Sequence, residues 1–337
     1  MKILICFGTR PEWLKIKPLL NVFDKKNYDL LFTGQHQDLL KDVDFDHEIK
    51  IFSKNNRLDD ILISCMLNFP EQNYDYVLVQ GDTGSALGCA LAAYNRKLKI
   101  IHLEAGLRTY DDKNPYPEES YRQLISRISD INFCPTELSL INLNDEKVKG
   151  KSFVVGNTVL DNLYEIKKKS SYGKKVLITL HRRENHQIME TWFEKINILC
   201  EKFSDLEFIF PIHPNPDVKK FQSLLSNKIK VIDPLDHQQL VTLLLDTKFV
   251  ITDSGGIQEE SSFLNKKVIV CRKTTERPEG IETGHIHLCQ SPDQLIEMVY
   301  KINSNYYINN ICPYGDGQSS IKIFNILIND YSSTKRF

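Results

Sequence analysis

The sequence feature that most constrains the fold is an alternation of short apolar runs with amphipathic segments, which continues along the whole chain. KILICFG (2–8) is apolar throughout, as is typical of a strand buried on both faces of a parallel sheet. Residues 11–24 then place apolar side chains at helical spacing, and Pro11 is acceptable in a first helical turn. Strands that alternate with helices predict an α/β protein with parallel sheets.

The same two patterns recur in both halves of the chain. In the first half, further strands are predicted at 28–34, 48–52, 75–81, 98–104, 131–136 and 152–157, and the clearest helices at 57–69, 83–96 and 116–129. In the second half, strands are predicted at 174–181, 206–214, 230–236, 248–254 and 266–272, and helices at 188–204, 237–246 and 293–303.

A chain of 337 residues is long enough for two domains of ordinary size. The polar, lysine-rich stretch 162–175 is the predicted linker, so the first domain is expected to span 1–165 and the second 166–312. The remaining segment, 313–337, contains a helical pattern that is expected to return to the first domain.

Composition excludes several classes of partner. The net charge of −1 argues against nucleic acid or an anionic membrane as a bulk electrostatic partner. No apolar run approaches the ~18 residues of a membrane helix, and Met1 leads directly into a strand, so no signal peptide is expected. Eight scattered cysteines without a CxxC pair predict reduced core thiols in a cytoplasmic protein. The histidines show no metal-ligand spacing, so no metal site is predicted.

Polar residues cluster where the predicted strands end. The clusters are Gly8-Thr9-Arg10, Gly34-Gln35-His36, Gly81-Asp82-Thr83, Glu104-Ala105-Gly106, His181-Arg182-Arg183-Glu184, His213-Pro214 and Asp253-Ser254-Gly255-Gly256. Ligands of open parallel sheets bind at the carboxyl ends of strands. Because the clusters come from both halves, they predict a charged ligand in a cleft between two domains.

The stretch 248–265 predicts a strand, a tight turn and a helix. Gly255 and Gly256 let the backbone approach a ligand, and Ser254 with the following amides would offer a helix N-terminus to phosphate. Glu259 and Glu260 lie one turn further, where a carboxylate can take a pair of ribose hydroxyls. The alternative is a buried strand with a glycine turn and an acidic first helical turn.

Three acidic positions at strand or helix ends are candidates for acid/base chemistry. Asp82, Glu104 and Glu118 have the residue type that proton transfer requires. The alternatives are a helix N-cap for Asp82 and stabilisation of a helix dipole for Glu118 and its neighbour Glu119.

Basic and imidazole side chains at other strand ends suit an anionic ligand. Arg10 and Lys15, beside a helix start, fit a diphosphate, with plain surface charge as the alternative. His181 follows a strand, and His213 lies in the rigid loop PIHPNP. Arg277 in TTERPEG is a further candidate contact for phosphate or sugar.

The motifs together resemble those of the non-hydrolysing UDP-N-acetylglucosamine 2-epimerases. The resemblance rests on FGTRPEWLK (7–15), GQH (34–36), GDT (81–83), HLEAGLRT (102–109), PEES (117–120), GNTVLD (156–161), HRREN (181–185), HPNP (213–216), TDSGGIQEES (252–261), TTERPE (274–279) and PYGDGQ (313–318). These motifs occur in order over nearly the whole chain, and their combination is highly specific.

The resemblance implies a glycosyltransferase-B-like fold, in which two Rossmann-like doubly wound domains enclose the active site. It implies a reaction that interconverts UDP-GlcNAc and UDP-ManNAc by inversion at C2. In this reaction, anti elimination of UDP gives a 2-acetamidoglucal, and syn addition returns UDP. It further implies that no cofactor is used, that the partner is the UDP-sugar substrate and that the protein is a homodimer.

Residue roles follow from the motif match. The catalytic set would be Asp82, Glu104, Glu118 and His181. The substrate-binding set would be Arg10, Lys15, His213, Ser254, Gly255, Gly256, Glu260 and Arg277, with Glu260 at the ribose. Two positions depart from the family, because Gln37 and Asn55 stand where many bacterial members have an arginine that helps to hold an activating second UDP-GlcNAc.

Other functions remain open at this point. The first alternative is a C2 epimerase of another UDP-N-acetyl sugar, such as a UDP-L-sugar or a diacetamido uronic acid. A hydrolysing epimerase, a glycosyltransferase of the same fold and an inactive nucleotide-sugar sensor are the others. Solvent deuterium at C2 separates the epimerases from a sensor, and the fate of UDP separates a hydrolase from a non-hydrolysing enzyme.

Overall fold

The computed structural model describes residues 1–36, 43–54, 56–213, 215–308 and 310–334. The chain divides into two compact units. The first comprises Met1–Asn162 and Gly315–Phe337, and the second comprises Leu163–Tyr314. The sequence pattern predicts boundaries after residues 165 and 312. Gln37 and Asn55, the two departures from the family pattern, lie outside the described residues.

The first unit is built on a parallel sheet that has seven strands in the described part of the chain. In chain order they are β1 (Ile3–Phe7), β2 (Tyr28–Phe32), β3 (His47–Glu48), β4 (Tyr76–Gln80), β5 (Lys99–Leu103), β6 (Ile131–Cys134) and β7 (Lys151–Val154). The spatial order is β3-β2-β1-β4-β5-β6-β7. The order reverses between β1 and β4, which is the doubly wound, Rossmann-like arrangement and the place where such sheets bind ligands.

Helices cover both faces of this sheet. They are α1 (Arg10–Leu20), α2 (Arg57–Leu67), α3 (Gly84–Asn95), α4 (Glu118–Ile128), α5 (Glu137–Asp145) and α12 (Ser319–Thr334). Because side chains alternate along a strand, Ile3 and Ile5 of β1 face one core and Leu4 faces the other. The C-terminal helix α12 buries Ile323 and Leu327 in the first of these cores, so residues far apart in sequence complete it.

The second unit repeats the arrangement, with a parallel sheet of six strands among the residues described. They are β8 (Lys175–Thr179), β9 (Glu207–Pro211), β10 (Lys230–Ile232), β11 (Thr247–Thr252), β12 (Lys267–Val270) and β13 (Ile286–Leu288). The spatial order is β10-β9-β8-β11-β12-β13, so the order reverses between β8 and β11. The flanking helices are α6 (Met189–Lys202), α7 (Pro216–Lys219), α8 (His237–Leu245), α9 (Gly255–Phe263), α10 (Glu279–Glu282) and α11 (Leu295–Ser304).

The predicted α/β class with two doubly wound sheets is confirmed, but several elements differ from the sequence prediction. The alternating EIKIF favours a strand over 48–52, yet the paired strand there is His47–Glu48. Helix α5 and strand β13 are additional. No helix within the described residues is long and apolar enough to cross a membrane.

Candidate active site

The turn after β1 is fixed by a buried carboxylate. Thr9 caps α1, and Glu12 Oε2 accepts hydrogen bonds from the amides of Gly8 and Thr9 at 2.9 and 2.7 Å. Thr83 donates to Glu12 Oε1 at 2.7 Å, which ties this turn to the turn after β4. Burial raises the pKa of Glu12, against the opposing effect of these hydrogen bonds. Arg10 is the first residue of α1, is partly exposed and has no side-chain hydrogen bond to the described residues.

Asp82 lies between two fixed backbone positions after β4. Gly81 has a φ of +68°, in the left-handed region that favours glycine. Thr83 is the N-cap of α3 and accepts a hydrogen bond from the amide of Ala86 at 3.1 Å. The N-cap alternative for Asp82 is therefore wrong, and its carboxylate instead accepts from Arg122 Nε at 2.9 Å.

Glu104 follows β5 in the left-handed conformation, with a φ of +65°. Its Oε1 accepts hydrogen bonds from Lys15 Nζ at 2.7 Å and from Asn157 Nδ2 at 2.9 Å, and Gln80 Nε2 donates to its Oε2. The side chain is only 6% exposed. An ammonium and two amides thus stabilise an anionic carboxylate in a largely desolvated place. Lys15, which was predicted to contact a diphosphate, is here a partner of Glu104.

The adjacent acids Glu118 and Glu119 have different surroundings. Glu118 is the first residue of α4 and is partly buried. Glu119 is fully buried and accepts hydrogen bonds from the amides of Thr109 and Tyr110 at 3.0 and 3.1 Å. Glu119 therefore closes the loop that follows Glu104, whereas Glu118 is the candidate for chemistry.

His102, on β5, is a neutral imidazole in the core. Burial lowers its pKa to about 4. Its Nε2 lies 2.8 Å from the carbonyl oxygen of Gly81, which can only accept, so Nε2 is the protonated nitrogen. This hydrogen bond fixes the backbone immediately before Asp82.

In the second unit, Asp253 organises the turn after β8. Its carboxylate is fully buried and accepts from the amides of His181 and Arg182, both at 2.9 Å, and from Asn185 Nδ2 at 3.0 Å. His181 Nδ1 lies 3.2 Å from Asp253 Oδ1. The negative charge of Asp253 favours the neutral tautomer with the proton on Nδ1, which leaves Nε2 with its lone pair. Burial lowers the pKa of His181, and the nearby Asp253 charge opposes this shift.

His213 stacks on His181, with ring centroids 5.0 Å apart and ring planes at 10°. The amide of Asn215 donates to His213 Nδ1 at 3.2 Å, so Nε2 is the donor of the neutral ring. Partial burial lowers the pKa of His213. A pocket of about 140 Å³ lies beside the two rings. Its lining is mostly apolar and comprises Thr179, Leu180, His181, Pro211, Ile212, His213, Pro234, Leu235, Leu240 and Ile257.

The N-terminus of α9 follows Asp253 at the end of β11. Ser254 is the N-cap residue, but its hydroxyl does not cap the helix. A Cβ at Gly255 would lie 2.8 Å from Arg277 Nη1, whereas a Cβ at Gly256 would meet no atom within 4 Å. The two glycines therefore differ, because Gly255 accommodates Arg277 and only Gly256 borders open space.

Glu260, further along α9, is almost fully buried, and its Oε1 pairs with His237 Nε2 at 2.5 Å. Arg277 is also buried. Its Nε donates to Glu259 at 2.6 Å, and its Nη1 pairs with Glu276. In this structure the guanidinium of Arg277 is thus a member of a buried ion-pair network.

The structure places the predicted residues at the carboxyl edges of two sheets. Arg10, Asp82 and Glu104 follow adjacent strands of the first sheet, and His181 and Ser254 follow adjacent strands of the second. Sequence reasoning missed four partners of these residues, which are Gln80, Arg122, Asn157 and His237. The i, i+4 spacing of Glu118 and Arg122 places both on one face of a helix, and this pattern could have indicated that Arg122 lies near the candidate carboxylates. Among the described residues, no group of three or more His, Cys, Asp or Glu side chains is arranged to hold a metal ion.

Comparison with known proteins gives a consistent result. The family model for UDP-N-acetylglucosamine 2-epimerase matches residues 23–328. The UDP-N-acetylglucosamine 2-epimerase of Campylobacter jejuni is 38% identical over 97% of this chain and 97% of its own length.

Solved structures agree. The UDP-GlcNAc 2-epimerase of Neisseria meningitidis, bound to UDP-GlcNAc, superimposes with a TM-score of 0.89 at 35% identity, covering 98% of this chain and 100% of that one. The enzyme of Methanocaldococcus jannaschii, in complex with UDP-GlcNAc and UDP, gives a TM-score of 0.84 at 32% identity, covering 98% and 100%. The resemblance noted in the sequence is confirmed, and the chain belongs to the UDP-N-acetylglucosamine 2-epimerase family.

Proposed function

We propose that this protein interconverts UDP-GlcNAc and UDP-ManNAc without hydrolysing them. The observation that supports this most directly is the pair of differently held carboxylates, Asp82 and Glu104, at the ends of neighbouring strands of the first unit. Relatives whose structures contain UDP-GlcNAc match the chain over nearly its full length.

The chemistry explains why such carboxylates are needed. The C2 proton of the sugar is not next to a carbonyl, so it is a poor acid. Its removal becomes easier as the C1–O bond breaks and positive charge develops at C1. An anionic carboxylate near C1 stabilises that charge. Glu104 fits this role, because Lys15, Gln80 and Asn157 keep its carboxylate hydrogen-bonded as an anion.

In the proposed elimination, a carboxylate takes the C2 proton, and the C–H electron pair forms the C1=C2 bond of a 2-acetamidoglucal. The C1–O electron pair leaves with UDP. In the return step, a proton is delivered to the opposite face of C2, and the diphosphate oxygen bonds C1 again. Two acid/base groups on different faces are the economical arrangement, and we assign them to Asp82 and Glu118.

The second unit is proposed to hold UDP. A neutral His213 donates through Nε2, and His181 presents an Nε2 that can take a proton and then donate to a diphosphate oxygen. Ser254 and the amides after it, at the N-terminus of α9, add donors. The apolar pocket beside the two imidazoles suits the flat face of the uracil base.

The test is proton NMR of UDP-GlcNAc with the protein in deuterated water, without NAD. We expect UDP-ManNAc to appear, with deuterium at C2 of both sugars. Free UDP with ManNAc would instead indicate a hydrolysing enzyme. An unchanged spectrum in both directions would reject UDP-GlcNAc as the substrate and point to another UDP-N-acetyl sugar.

A prediction about ribose recognition arises from the His237–Glu260 pair. Because His237 occupies Oε1, Glu260 is left with Oε2 for the ribose hydroxyls that we propose it binds. A hydrogen bond between a ribose hydroxyl and a charged carboxylate should make UDP bind about 10-fold more tightly than 2′-deoxy-UDP. His237→Phe should therefore reduce this preference.

The two dissociation constants can be measured by titration calorimetry. Thr242→Ala, on the same helix but facing solvent, is the matched control and should keep the preference. An unchanged preference in His237→Phe would show that His237 does not orient Glu260.

A further inference from the structure

Arg122 connects two carboxylates in the first unit. It lies on α4, one turn after Glu118, and its side chain is 5% exposed. Its Nε and Nη2 both donate to Oδ2 of Asp82, the former at 2.9 Å, and its Nη1 donates to Oε2 of Glu119 at 3.2 Å. A guanidinium is planar, so these contacts fix its orientation in a way that a lysine ammonium cannot reproduce.

Glu119, the second carboxylate that Arg122 contacts, is held by the backbone. Glu119 accepts from the amides of Thr109 and Tyr110, and Gln123 Nε2 donates to its Oε1 at 2.9 Å. Since Glu119 is fully buried, its carboxylate has little freedom to follow Arg122. The loop that follows Glu104 therefore fixes the position of the guanidinium, because it holds Glu119.

Asp82 depends on this support. Its side chain is 26% exposed, and among the residues described its carboxylate has hydrogen bonds only from Arg122. Both of these reach Oδ2, which leaves Oδ1 as the oxygen available for a proton. His102 fixes the preceding carbonyl, so the backbone is held while the carboxylate would otherwise rotate.

We infer that Arg122 is a positioning residue that holds the Asp82 carboxylate by Oδ2 and directs Oδ1 at the reacting sugar. This inference rests on the proposed epimerase function and on the acid/base role of Asp82 within it. Arg122 acts through Asp82 and not on UDP, so its loss should slow turnover without weakening nucleotide binding.

The experiment compares Arg122→Met with Arg122→Lys and with Arg127→Met, an exposed arginine on the same helix. We expect kcat of Arg122→Met to fall about 100-fold, the cost of a catalytic group misplaced by about 1 Å. The Kd for UDP should stay within about twofold, because the residues proposed to bind UDP are unchanged. Arg122→Lys should be intermediate, and Arg127→Met should match the wild type.

Two further measurements separate a positioning role of Arg122 from a general structural role. If Arg122→Met does not fold, because Glu119 is then buried without this cation, Arg122→Lys keeps a cation beside Glu119 and carries the test, with a loss of kcat at unchanged UDP binding as the expected result. Millimolar methylguanidinium should partly restore kcat in Arg122→Ala, whose shortened side chain leaves room for it, whereas a general structural defect would not respond.

The outcomes separate this inference from the proposed function. A wild-type protein that introduces no deuterium at C2 would contradict the function itself. Suppose that the wild type is active. If Arg122→Met then keeps its kcat, or loses kcat and UDP affinity to the same extent, only the role of Arg122 is overturned.

Discussion

Asp82→Asn is expected to abolish epimerisation, with a loss of at least about 10³-fold in kcat and in deuterium incorporation at C2. The amide has the same shape as the carboxylate and still offers Arg122 one oxygen, so the surrounding packing is retained. What the variant lacks is a group that can take a proton near neutral pH. UDP binding and the thermal midpoint should therefore change little.

The measurement is the deuterium-exchange NMR assay, run beside calorimetric titration with UDP. Asp145→Asn, an exposed acid at the end of α5, is the matched control and should behave as wild type. If Asp82→Asn retained deuterium exchange within tenfold of the wild type, another carboxylate would have to remove the proton, and Glu118 would be the next residue to test.

Asp253→Asn should have the second large effect, on both stability and turnover. The Asp253 carboxylate accepts hydrogen bonds from two backbone amides and from Asn185, and it pairs with His181 Nδ1. An asparagine must turn its NH₂ group towards some of these donors, which leaves buried donors without an acceptor. We expect the second unit to lose about 3 kcal/mol of stability. We also expect kcat to fall about 100-fold, because the tautomer and orientation of His181 are no longer fixed.

Chemical denaturation and steady-state kinetics check this prediction. Asp293→Asn is the control, since the Asp293 side chain that pairs with Lys195 is exposed to solvent and its loss should leave the unfolding midpoint unchanged. Unfolding and kcat values for Asp253→Asn that match those of Asp293→Asn would show that the buried carboxylate neither supports the fold nor orients His181.

The sheets were predictable because parallel strands buried on both faces are continuous apolar runs, such as KILICFG. Helix α5 was not predicted, since ELSLINLND has weak helical periodicity and its start depends on the Thr136 cap. Strand β13 has only three residues, so no periodicity could be detected in it. EIKIF shows that an alternating pattern alone does not make a strand, because the sheet also needs a neighbour in register.

The site was predictable to the level of which residues lie at strand ends, but not to the level of their partners. Asp82 and Glu104 lie where the strand-end argument places them. Their partners Arg122 and Asn157 are 40 and 53 residues away in the sequence, a separation that only the folded chain closes. Lys15 forms an ion pair with Glu104, and Arg277 forms ion pairs with buried acids. No local sequence pattern distinguishes such a pairing from a contact with phosphate.

The stacked imidazoles of the second unit have a thermodynamic consequence. Burial lowers the pKa of both His181 and His213, so both rings are uncharged near neutral pH. A diphosphate brought against them would favour the protonated forms and raise both pKa values. Binding would then take up protons from solution in the range between the free and bound pKa values, and affinity would rise as pH falls through that range. The heat of UDP binding would accordingly depend on the ionisation enthalpy of the buffer, and nucleotide release would be coupled to the return of those protons to solvent.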